Sequence, residues 1–64
     1  MAASYTVLVI ERADLVRRAT KRALRERGCE VLEATDAAEA LEVLTNRNHE
    51  VDLVLIGAVG APEG

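Results

Sequence analysis

Val51-Asp52-Leu53-Val54-Leu55-Ile56-Gly57 is the stretch whose reading decides the fold. Leu53 to Ile56 is an unbroken aliphatic run, partly β-branched and closed by a glycine. Such a run predicts a strand apolar on both faces, as in the interior of a parallel sheet. Seven residues follow Gly57 in the 64-residue sequence. The expectation is therefore an interior-type strand placed at an edge, which needs a cover.

Composition narrows what that cover is. A chain of this size buries only about 60% of the surface its unfolded form exposes, so packing against another chain is the expected source of stability. Cys29 is the only cysteine, which excludes an internal disulfide. With His49 as the only histidine, a metal site is not expected either. Tyr5 is the only aromatic residue, which argues against base-stacking nucleic-acid modules. No apolar run approaches the roughly 18 residues of a membrane span, and the N-terminus lacks the order of a signal peptide. A soluble, cytoplasmic chain without a cofactor is expected. The net charge of −3 is unevenly spread. Residues 11–27 carry seven cations against three anions, net +4, and residues 28–64 carry one against eight, net −7. This asymmetry can steer partners.

Working outward, Tyr5 to Ile10 is a second β-rich run and predicts a buried strand. Asp14 offers an N-cap, and Val16, Ala19, Thr20, Ala23 and Leu24 form one helical stripe. Arg17, Arg18, Lys21, Arg22 and Arg25 fall on the other side, and Gly28 ends the helix. Cys29 to Ala34 predicts a strand whose glutamates suit a sheet edge. Asp36 with Glu39 is a capping-box arrangement opening a second helix, with Ala37, Ala40, Leu41 and Leu44 as its buried stripe. The order β-α-β-α-β predicts a three-layer α/β unit with a parallel sheet and right-handed crossovers. The polar strand belongs at one edge, which gives the sheet order 2-1-3. The carboxyl ends of the first and third strands then flank a switch point, where α/β sheets bind ligands. That crevice would hold Ile10-Glu11-Arg12 and Gly57-Ala58.

These pieces together resemble the N-terminal half of a receiver domain, the phosphoacceptor module of two-component response regulators. The matching segments are Thr6 to Ile10, Leu15 to Gly28, Glu30 to Ala34, Asp36 to Leu41 and Asp52 to Ile56. The resemblance implies a half flavodoxin-like βαβαβ unit, with residues 1–64 as a single truncated receiver-like domain completed by dimerisation. It is degenerate. The family's magnesium-binding acidic pair falls on Glu11 and Arg12, and its phosphoacceptor aspartate on Gly57. Where the family has a proline four residues after the aspartate, this chain has Ala61, with Pro62 next, and its Met-Asp-Gly ending is reduced to Glu63-Gly64. Glycine cannot form an acyl phosphate, and one carboxylate beside an arginine does not satisfy Mg²⁺. No enzymatic or phosphoacceptor activity is expected.

The expected role is a protein–protein interaction module. It would form a homodimer or higher homo-oligomer through Leu53, Val54, Leu55 and Ile56, with Val59 and Val43 as additions. Segment exchange is the competing geometry. The alternative role is a decoy or docking module. It would bind a histidine kinase or phosphotransfer partner of a two-component system through Arg17, Arg18, Lys21, Arg22 and Arg25. The acidic remainder opposes nucleic acid as the partner of that face. Cys29 reads most simply as a small hydrophobe and His49 as a solvated loop residue.

Overall fold

A computed structural model of the chain describes residues 5–47 and 50–57. Its elements are β1 (Thr6–Ile10), α1 (Asp14–Glu26), β2 (Glu30–Ala34), α2 (Ala37–Arg47) and β3 (Leu53–Ile56). The sheet is parallel with order β2-β1-β3, as the sequence predicts. In register, Leu8 stands between Leu32 and Val54, and Val9 between Glu33 and Leu55. Partners in a parallel ladder share a face, and neighbours along a strand alternate. One face therefore carries Leu8, Ile10, Leu32, Ala34, Val54 and Ile56. The other carries Val7, Val9, Val31, Glu33, Leu53 and Leu55.

The core occupies both faces: Val7 and Val9 are buried on the second, and the cluster around Leu8 lies on the first. Leu8, fully buried, packs with Ala34 of β2 and Ala40 of α2, and Val43, Leu44 and Val51 close around them. On the second face Lys21 of α1 reaches Glu33. The two helices thus sit on opposite sides of the sheet, giving the three expected layers.

Chain termini of the helices are set by specific hydrogen bonds. At the end of α1, Cys29 N–H donates to Leu24 C=O at 3.1 Å and Gly28 N–H to Arg25 C=O at 2.9 Å. This pair is a Schellman closure, with Gly28 at φ +90°, a conformation that an L side chain resists. At the start of α2, Glu39 N–H donates to Asp36 Oδ1 at 2.8 Å. The Glu39 carboxylate accepts from Thr35 N–H at 2.6 Å and from the Thr35 hydroxyl at 2.8 Å. The expected capping box is present, but its return arm reaches Thr35 instead of Asp36. Asp14 is not the N-cap of α1. Ala13 holds that position without a side-chain cap, and Asp14 lies in the first turn, bonded to Arg17.

Both helical stripes differ from the sequence expectation. In α2, Ala37 and Leu41 are exposed, and Ala40, Val43 and Leu44 turn inward. In α1 no residue is fully buried. Arg17, Thr20, Lys21 and Leu24 face the sheet, and Val16, Ala19 and Ala23 are exposed. The helix is rotated because Arg17 and Lys21 both pair with Glu33 of β2, drawing α1 over the β1–β2 side.

β3 is consequently exposed along its whole length, from 39% at Val54 to 69% at Ile56. Burial on both faces, expected from the run's composition, does not occur within a single copy. Both helices make their main contacts with β1 and β2, leaving β3 partly exposed.

Candidate functional site

The crevice at the carboxyl ends of β1 and β3 is where the fold brings the sequence-predicted site residues together. Its lining includes Glu11, Arg12, Thr35, Asp36, Ile56 and Gly57. Backbone pairing fixes its floor. Glu11 N–H donates to Ala34 C=O at 3.0 Å, and Gly57 N–H donates to Ile10 C=O at 2.8 Å. The end of β1 is thereby tied to both neighbours, and the Glu11 side chain lies against Gly57 there.

Glu11 is 5% exposed, which is unusual for a carboxylate. Its Oε2 accepts from Ala13 N–H at 2.9 Å, so it satisfies a donor just before α1 that no cap residue serves. Arg17 buttresses the same loop. Its Nη1 donates to Glu11 C=O at 3.0 Å, its Nη2 to Asp14 at 2.6 Å and its Nε to Glu33 at 3.2 Å. Its pKa is raised, first by the hydrogen bond to Asp14, with burial opposing. This role for Arg17 was hidden in the sequence, where it counted only as one member of a basic face.

A Cβ built on Gly57 would overlap Glu11 Oε1 and stand 2.8 Å from Glu11 Cδ. The glutamate thus fills the space that a side chain on the residue just after β3 would need. The magnesium site implied by the resemblance does not fit these residues. Gly57 offers no side chain, one oxygen of Glu11 is taken by Ala13 N–H, and Asp36 Oδ1 is taken by Glu39 N–H. Among the described residues no group of three or more His, Cys, Asp or Glu is placed to hold a metal ion. No helix among them is long and apolar enough to cross a membrane.

The basic residues of α1 divide into two sets. Arg17, 14% exposed at its side chain, and Lys21 lie against Glu33. Arg18, Arg22 and Arg25 remain exposed. At 100° per residue these three sit about a third of a turn from the sheet-facing line. Val16, Ala19 and Ala23 sit about as far round on the opposite flank. With a right-handed crossover from β1 to β2, the apolar flank looks toward β3 and the basic flank outward past β2. The residues expected to pair between copies, Leu53 to Ile56, form an exposed edge strand. Val59 and His49 lie outside the described residues. Cys29 is half-buried and free of any disulfide.

Neither a family model nor a solved structure matches the chain. Over 59 residues, 92% of its length, the chain is 42% identical to the sensor kinase CckA of Brucella abortus (strain 2308), and it spans 6% of that protein. That likeness suggests involvement in two-component signalling, and with the parallel βαβαβ fold it is compatible with a receiver fragment.

Proposed function

We propose that the chain is a receiver-like unit of two-component signalling that takes no phosphoryl group and works by association, its β3 edge pairing with a second copy. The observation that carries this is the exposure of all four residues of β3 at a sheet edge. An apolar edge strand presents unpaired backbone donors and acceptors. A two-fold axis perpendicular to the sheet makes that edge complementary to itself. Antiparallel pairing near Val54 would give a six-stranded sheet ordered 2-1-3-3′-1′-2′. Both α1 helices would then lie on one face with their apolar flanks turned toward the seam. Their basic flanks would point to the far edges, separated by more than the Debye length of about 10 Å at 0.1 M salt. Repulsion between like charges therefore does not oppose the pairing.

Sedimentation tests the association. The expected result is a dimer at tens of micromolar, with an interface above about 1,000 Å². Leu55→Lys, on a side chain already 40% exposed, should give a folded monomer. A cooperative, folded monomer in the unmodified chain would overturn the reading. Chemical silence is tested by mass after incubation with acetyl phosphate and Mg²⁺. No gain is expected, and a gain of one phosphate at a carboxylate would contradict it.

The exposed basic flank favours a second reading, docking of a histidine kinase or phosphotransfer protein through Arg18, Arg22 and Arg25. Replacing these three with Gln should then weaken salt-sensitive binding to such a partner and leave the oligomeric state unchanged.

A further inference from the structure

We propose that Glu11 is a built-in latch of the strand-end crevice, and that the residue at position 57 decides whether the latch is closed. The inference goes beyond the association proposed above and rests on different contacts. With glycine at 57, the Glu11 carboxylate folds across the end of β3 and holds Ala13 N–H. The loop from β1 to α1 is thereby fixed in one conformation by a group from the chain itself. With any larger residue at 57, Oε1 and Cδ of Glu11 lose their space, and the side chain must swing out into the crevice. Ala13 N–H then loses its acceptor.

The backbone gives no other reason for glycine here. Among the described residues only Gly28 has a positive φ, so Gly57 lies in a conformation open to L residues. Around it, the nearest atoms that an added Cβ would meet all belong to Glu11. At Gly28 the reverse holds, with open space and a demanding φ. Position 57 is therefore restricted by one side chain. Glu11 is a positioning residue, acting on the loop through the Ala13 amide. The crevice that resembles a phosphoacceptor pocket carries a side chain of its own across the position beside Gly57.

Two-dimensional amide spectra and thermal melts of Glu11→Ala, Gly57→Ala and the double variant test the latch. Gly57→Ala should move the Ala13 amide resonance in the same direction as Glu11→Ala does. It should lower the thermal midpoint by roughly 4–8 °C, the shift expected of a loss near 1 kcal/mol in a domain of this size. Adding Gly57→Ala to Glu11→Ala should produce no further change in either readout. Glu11→Gln, which keeps an acceptor of the same length, should retain the Ala13 resonance near its original position. Glu11→Asp withdraws the carboxylate by one methylene, so Gly57→Ala in that background should cost no midpoint; this comparison decides the matter if the single variants fail to fold. An unmoved Ala13 amide in Gly57→Ala, or losses that simply add in the double variant, would overturn the latch. The Ala13 amide reports the β1–α1 loop locally, whereas the midpoint also responds to association; melts repeated across protein concentration therefore let the latch and the association fail separately.

Discussion

Lys21 Nζ lies 2.6 Å from Glu33 Oε2, and Arg17 Nε lies 3.2 Å from the other oxygen of the same carboxylate. One glutamate on β2 therefore ties down two successive turns of α1 and sets its rotation. The Glu33 carboxyl is held below its ordinary value, chiefly by the hydrogen bond from Lys21, with burial opposing. A group lowered in the folded state contributes stability that is present above its unfolded pKa and is lost as pH falls through its folded value. Its side chain is one-third exposed, so the contribution is under about 1 kcal/mol. Thermal melts should show a smaller stability difference between neutral and acid pH in Glu33→Gln than in the unmodified chain. An identical difference would remove this cluster from the acid response.

Asp52 clamps the other end of the sheet. Its carboxylate accepts from Thr6 N–H at 2.8 Å, and its own N–H donates to Thr6 C=O at 2.8 Å. Thr6 is buried, so Asp52→Ala leaves a buried donor unsatisfied and should cost about 1–3 kcal/mol. Asp52→Asn keeps an acceptor and should cost less. Urea denaturation of the two variants measures the difference.

Leu8→Ala should be the most damaging aliphatic truncation. Leu8 is fully buried between α2 and the sheet, where such a change costs about 2–5 kcal/mol. A domain this small is expected to lose its cooperative transition in circular dichroism. Leu15, by contrast, is 79% exposed, and Leu15→Ala should stay within about 0.5 kcal/mol.

Gly28→Ala isolates backbone strain. An added methyl meets nothing within 4 Å, yet the residue sits at φ +90°. The cost should be about 1–2 kcal/mol, seen as a lower denaturation midpoint with an unchanged slope.

The strand order, the α1 closure at Gly28 and the cap of α2 were legible because each rests on a local rule. Runs of β-branched residues, a glycine at C′ and an acidic pair three apart have one dominant structural meaning. The orientation of α1 was not legible. Helical period fixes angles between residues, but the absolute rotation depends on Glu33, a residue of another element. The long stems of Arg17 and Lys21 can lie on apolar surface, so counting them as solvent-facing misplaced the stripe by about one residue. Burial of β3 was unreadable for a related reason, since it depends on what lies beside the strand. At the crevice the sequence pointed to positions 11, 12 and 57. It gave no sign that one of these side chains would occupy the room of another, because chain spacing carries no information on contacts across a sheet.

The two edges of the sheet differ in kind, and this difference governs how far growth can proceed. β2 carries Glu30 and Glu33 and lies beneath a helix anchored by charge, whereas β3 carries only Leu53, Val54, Leu55 and Ile56. Under the proposed association, addition at β3 would use up the more permissive of the two borders. The outer borders of the proposed pair would be two β2 strands bearing glutamates, one of them the anchor of a covering helix, a composition that discourages further strand pairing. Under the proposed pairing stoichiometry would be bounded by the chain itself: the sheet would end at six strands, and a solution of this protein would saturate at pairs instead of elongating into fibres.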